Sequence, residues 1–184
     1  MRERSLKVAL YGGSFDPPHI AHEAIVKALR KKDFIDKVVV MPTFLNPFKS
    51  KFIAPASLRL KWLREIFQTY KDVEVSAFEV DLGEKTPSIT TVEYLLKTYE
   101  KVYLVIGADN LASLKSWHRY EDLKESVTFI IATRENIKVP PEYIILPIDE
   151  DISSSSLRDR IDINKLPKQN ALEIQQYYKE KNAK

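Results

Sequence analysis

Two histidines three residues apart follow a glycine pair near the N-terminus, in Gly12-Gly13-Ser14-Phe15-Asp16-Pro17-Pro18-His19-Ile20-Ala21-His22. An apolar run precedes the glycines and helical spacing follows the histidines, so the segment reads as strand, turn and helix start. Residues at i and i+3 share a helix face, which turns both imidazoles towards the loop. Amides without helical partners and the helix dipole favour an anion at such a start. Imidazole N–H groups can also bind phosphate oxygens and stabilise charge that develops during transfer. A zinc site fits less well, because zinc usually takes at least three protein ligands and the Glu of a metalloprotease helix is missing. His118, the other histidine, is distant in sequence. Phosphate handling accounts for turn, glycines and histidines together.

A second candidate is Ile152-Ser153-Ser154-Ser155-Ser156-Leu157-Arg158. Serine runs are commonly linkers, but this one leads directly into Leu157, Arg158 and Ile161, the start of a capped helix. Hydroxyls and amides there, with Arg158 one turn on, would make a second anion cradle. Three weaker features remain. The loop from Pro42 to Lys51 carries Lys49 and Lys51, which reach a phosphate or simply stay solvated. Thr86-Pro87-Ser88-Ile89-Thr90 precedes a helix and could be only its cap. Trp117 follows the Asp109 loop, and spacing alone favours a core role over stacking on a flat ring.

The elements that must position these groups alternate along the chain. Val38 to Met41, Val102 to Ile106, Val127 to Ile131 and Tyr143 to Leu146 are apolar without alternation, as in strands covered on both faces. Leu6 to Tyr11 reads as a fifth strand and Val73 to Val75 as a sixth. Between them, Ile25, Ala28 and Leu29 share a helical face. So do Leu60, Leu63 and Phe67, with Ser57 as a cap, and Val92, Leu95, Leu96 and Tyr99. Ala171 to Tyr178 makes a last amphipathic helix. The expectation is an α/β, doubly wound, Rossmann-like parallel sheet, with residues 1–184 as a single domain. Ligands of such sheets bind beyond the carboxyl ends of the strands. Those ends are Gly12-Gly13-Ser14, Gly107-Ala108-Asp109 and Thr133-Arg134, and three of the four glycines lie there.

Composition narrows the partners. Of 184 residues, 29 are basic and 26 acidic, for a net charge of +3, so the surface is mixed and a nucleic-acid partner is not expected. A small positive excess suits polyphosphate substrates. The absence of cysteine excludes disulfides, thiolate metal sites and thiol nucleophiles. No stretch approaches the roughly 20 apolar residues of a membrane span, and Met1 to Leu10 is too charged for a signal peptide. A cytoplasmic protein is expected.

Taken together, the motifs resemble a known superfamily. Gly12 to His22 resembles the G-G-[ST]-F-D-P-x-H-x-G-H signature of the HxGH-type nucleotidyltransferases, and Ser153 to Arg158 resembles their I-S-S-T-x-I-R signature. Within that group the chain is most similar to bacterial nicotinate-nucleotide adenylyltransferases, through Pro87-Ser88-Ile89-Thr90, Ile106 to Asp109 and Trp117. Ala21, Ile89, Phe48 and His118 depart from the usual Gly, Tyr, His and Tyr. Ile89, Phe48 and His118 bear on the acceptor pocket.

The resemblance implies transfer of AMP from ATP to nicotinic acid mononucleotide, giving deamido-NAD and pyrophosphate in NAD biosynthesis, with Mg2+ carried on the ATP phosphates. It implies that His19 and His22 hold the α- and β-phosphates, and that Ser153, Ser154, Ser155 and Arg158 hold the outer ones. Gly12, Gly13, Ser14 and Phe15 approach both substrates, with Gly107, Asp109 and Arg134 also on the ATP side. Lys49 reaches the transferred phosphate, Asp109 binds a ribose and Trp117 stacks on the pyridine. Backbone N–H groups near Thr90 and Thr91 face the pyridine carboxylate, with Ser88 also on the acceptor side. His19, His22, Lys49 and Arg158 form the catalytic set, with no protein metal site. Phosphopantetheine adenylyltransferase and a non-catalytic nucleotide-binding module are the alternatives. Oligomeric state is left open.

Overall fold

The computed structural model describes residues 6–46, 52–133, 138–150 and 152–183. Six strands, β1 (Lys7–Gly13), β2 (Lys37–Pro42), β3 (Val73–Val75), β4 (Lys101–Gly107), β5 (Val127–Thr133) and β6 (Ile144–Pro147), make one sheet in the order β3-β2-β1-β4-β5-β6. Every pairing is parallel. The chain therefore runs outward from β1 to β3, returns to the middle at β4, and runs outward again to β6. That reversal between β1 and β4 is the switch point at which such sheets bind ligands.

The continuous apolar runs are explained by burial on both faces. Along β1, Ala9 and Tyr11 face a core cluster with Val26, Leu29, Leu63 and Phe67 from α1 (Ile20–Leu29) and α2 (Ala56–Phe67). Val8 and Leu10 face the other way, onto Ile89, Val92 and Leu95 of α4 (Ser88–Leu95) and Leu123 of α5 (Tyr120–Ser126). Full burial of one such side chain contributes about 1.5–3 kcal/mol, so a register slip of one residue is strongly disfavoured. A third cluster, with Ala54, Trp62, Ile152, Leu157, Ile174 and Tyr178, joins α2 to α6 (Ser154–Asp159) and α7 (Ala171–Asn182).

The structure moves some expected boundaries. Pro55, not Ser57, occupies the N-cap of α2, and no side chain caps that end. Pro87 likewise occupies the N-cap of α4, so Ser88, Ile89 and Thr90 form its first turn instead of preceding it. Two short helices, α3 (Phe78–Leu82) and α5, escaped the periodicity argument, since five and seven residues are too few to establish a helical period.

Candidate active site

The crevice opens because strand pairing ends early at the switch point. The β1–β4 ladder stops at Tyr11–Val105, whereas β1–β2 continues to Gly13–Pro42 and β4–β5 to Gly107–Ala132. The last residues of β1 and β4 therefore diverge beneath the loops that follow them. After Gly13 the chain turns sharply at Phe15, whose φ of 49° is left-handed, a conformation costing about 1–2 kcal/mol for a residue with a Cβ. Phe15 is nonetheless 1% exposed, its ring edge-on to Tyr11 at 5.5 Å and to His22 at 4.8 Å. A Cβ on Gly13 would come within 3.1 Å of that ring. Glycine is needed here because Phe15 folds back over it.

His19 takes the N-cap of α1 and His22 its third position. Their rings stack at 3.6 Å and 21°. His22 Nδ1 accepts the main-chain N–H of His19 at 3.0 Å. A nitrogen that accepts cannot carry the proton, so the neutral ring holds it on Nε2. His22 thereby presents an N–H donor from a ring whose other nitrogen is anchored.

The serine motif stands against this loop although it lies near the other end of the chain. Ser154 Oγ donates to Pro17 O at 2.9 Å, and Arg158 Nη1 donates to Asp16 O at 2.7 Å. Arg158 Nη2 reaches Ser155 Oγ at 2.9 Å, while Ser153 caps α6 by accepting the Ser156 amide at 3.1 Å. A buried arginine fixes the other side. Arg59, with 0% exposure, donates to Ser14 O at 2.6 Å, Phe44 O at 3.0 Å and Ala54 O at 3.0 Å, and lies 4.2 Å over the Phe52 ring. Burial lowers its proton affinity, and the nearby Asp16 charge opposes that effect.

Across the crevice, Asp109 follows β4 with its carboxylate folded over Gly107, where an added Cβ would lie 2.4 Å from Asp109 Oδ1. Asn110 Nδ2 ties down Gly107 O at 3.2 Å. At the start of α4 the Thr90 amide already binds Pro87 O at 3.0 Å, so the earlier amides of Ser88 and Ile89 are the ones a ligand would meet. Thr91 is 1% exposed and gives its hydroxyl to Glu79 Oε1 at 2.6 Å. Burial pushes the Glu79 carboxyl up to about 7, against the opposing Thr91 hydrogen bond. Trp117 is half-buried against the α4–α5 core, and its indole N–H finds no partner among the described residues. Glu93 points away to Arg119, with which it pairs at 2.9 Å.

Residues 10–160 match the cytidylyltransferase-like family. A probable nicotinate-nucleotide adenylyltransferase of Sulfurimonas denitrificans is 59% identical over 96% of this chain and 97% of that relative. A counterpart from Nitratiruptor is 47% identical over 95% and 99%, and one from Campylobacter fetus 41% over 97% and 100%. The chain belongs to the nicotinate-nucleotide adenylyltransferase family. A solved relative in fold, Plasmodium falciparum nicotinic acid mononucleotide adenylyltransferase complexed with NaAD, superposes with a TM-score of 0.75 at 22% identity, covering 96% of both chains.

The structure thus gathers both motifs of an adenylyltransferase of this family at one crevice. His19, His22, Ser153, Ser154, Ser155 and Arg158 come together, and Gly107 and Asp109 lie at the end of the adjoining strand. Ser88, Thr90, Thr91 and Trp117 lie on the α4 side, where Thr91 is committed to Glu79. Lys49, Phe48 and Arg134 fall outside the described residues. Sequence reasoning passed over Arg59, Tyr178 and Glu79, and saw Asp16 only as part of a motif. Only a charged residue at an otherwise core-facing helical position, as Arg59 is beside Leu60 and Leu63, carried a local signal.

Proposed function

We propose that this chain transfers the AMP of magnesium-ATP to nicotinic acid mononucleotide, forming deamido-NAD and releasing pyrophosphate, a step of NAD biosynthesis. The observation that carries it is the junction of the stacked histidine pair with Ser154 and Arg158 at the sheet's switch point, in a chain that is 59% identical to a relative named for this reaction.

The mononucleotide's phosphate oxygen attacks the α-phosphorus, a new P–O bond forms, and the bond to the β-phosphate oxygen breaks. The attacking oxygen is already anionic at neutral pH, so the protein need supply no base. Its tasks are in-line alignment and stabilisation of charge around the α-phosphate. We assign the His22 Nε2–H to that developing charge, with His19 stacked beside it. Ser153, Ser154, Ser155 and Arg158 are assigned to the leaving pyrophosphate, since the planar guanidinium fork can meet two phosphate oxygens at once. A magnesium ion carried in on the ATP phosphates would keep several waters and need few protein ligands.

The pyridine carboxylate is assigned to the first amides of α4, with Trp117 against the ring. Hydrogen bonds to an ionised acceptor are stronger than those to an amide, and the helix dipole adds about 0.3–1 kcal/mol. No acidic residue stands in the first turn of α4 to oppose this preference, and Glu93, in the second turn, pairs with Arg119. Pyrophosphate release measured with ATP and nicotinic acid mononucleotide, nicotinamide mononucleotide or phosphopantetheine tests the reading. The acid should exceed the amide by about tenfold or more in kcat/KM, corresponding to about 1.4 kcal/mol. Parity, or turnover of phosphopantetheine alone, would refute the acceptor.

A further inference from the structure

The histidine loop is tied to the C-terminal helix by a buried phenol. Tyr178 of α7 has 0% exposure and donates its hydroxyl to Asp16 Oδ1, joining residues 162 positions apart. Asp16 is itself 2% exposed, and its carboxylate also accepts the amides of Ala54 at 2.9 Å and Ile53 at 3.0 Å. Its main-chain oxygen is held by Arg158. The neighbouring Tyr177 donates to Ile53 O at 3.1 Å, so consecutive tyrosines grip the two segments that Asp16 joins. Burial, then the Asp16 charge, drives the Tyr178 phenol far above its ordinary range, so it stays a donor.

A buried carboxylate held by three donors cannot rotate without leaving charge unpaired, which confines it to one position. Asp16 lies between the strained Phe15 and the His19 N-cap, so displacing it displaces both. We propose that Tyr178 is a positioning residue for adenylyl transfer, its hydroxyl fixing Asp16 and through it the loop that aims His19 and His22. This rests on the assignment of those histidines to the phosphates. The loss should fall on kcat, because a loop slightly out of place still binds ATP through its other contacts while mis-aiming the transition state.

The test is Tyr178→Phe, which removes the hydroxyl and keeps the ring, beside Ile174→Val, an equally buried change on the same helix. Tyr178→Phe should lower kcat about tenfold at full folding, with the KM for magnesium-ATP within about twofold. Ile174→Val should leave kcat per folded molecule unchanged. If Tyr178→Phe loses only melting temperature and retains kcat, the hydroxyl is structural and the inference is overturned. Should that variant not fold, Asp16→Asn, which weakens the same hydrogen bond, must show the kcat loss, and wild-type kcat there overturns the inference equally. His22→Ala separates the two levels. An active His22→Ala sinks the histidine assignment itself, whereas an inactive one beside an active Tyr178→Phe sinks only the role of Tyr178.

Discussion

Glu79 gives a stability prediction whose sign and size follow from its surroundings. The side chain is 5% exposed, Oε1 accepts from Thr91 at 2.6 Å, and Oε2 has no partner among the described residues. Burial raises the carboxyl from an ordinary 4.5 to about 7. Between these values the folded protein keeps the proton while the unfolded chain has released it, so raising the pH favours unfolding. Below 4.5 both states are protonated and no penalty exists. Above about 7 both are ionised and the loss is complete. At about 1.4 kcal/mol for each tenfold change in proton affinity, the loss across that window is about 3 kcal/mol. Glu79→Gln abolishes it. The amide keeps an oxygen for Thr91 but leaves two N–H donors unpaired where the protonated acid leaves one, a cost that does not vary with pH. From pH 4.5 to pH 8 the stability of the variant relative to the wild type should therefore rise by about 3 kcal/mol, or roughly 6–12 °C in melting temperature for a chain of this size. Urea unfolding of both proteins at several pH values measures the difference directly, because the other titrating groups cancel. A stability difference that does not change with pH would refute the buried-proton argument.

Two further outcomes follow from the crevice. His22→Ala should lower kcat by about a hundredfold or more, since losing a preorganised donor to developing charge typically costs that much; steady-state kinetics at saturating substrates would show it, and near wild-type kcat would exclude the role. Arg158→Ala should raise the KM for magnesium-ATP while leaving mononucleotide affinity nearly intact, with Arg158→Lys intermediate because it keeps charge but loses the planar fork; equal weakening of both substrates, by kinetics or calorimetry, would count against the placement.

Much of the site could be read locally. The three-residue spacing put His19 and His22 together at a helix start; His19 proves to be the extended N-cap rather than a helical residue, and the rings stack at 3.6 Å as His22 reaches back to accept its main-chain N–H. Apolar runs without alternation imply burial on both faces, hence a parallel sheet with helices on each side, hence sites at the strand ends. Short-range features were missed where no periodicity exists to read, as in the five residues of α3.

What only the tertiary structure decided is how distant segments meet. Ser154 bonds Pro17 across 137 positions and Tyr178 bonds Asp16 across 162, and no spacing rule reaches so far, because those contacts depend on strand order and on where α7 docks. Burial decided the rest. Lys, Glu, Arg and Asp are almost never fully buried unless paired, so residue type alone gives no sign that Arg59, Asp16 and Glu79 are enclosed. Arg59 is nevertheless enclosed because three carbonyls converge on its guanidinium, Asp16 because three donors satisfy it, and Glu79 because it can remain protonated near neutral pH. Each of those conditions is a property of neighbours brought from elsewhere in the chain, which is why the sequence names the residues that face phosphate and the fold supplies the ones that hold them still.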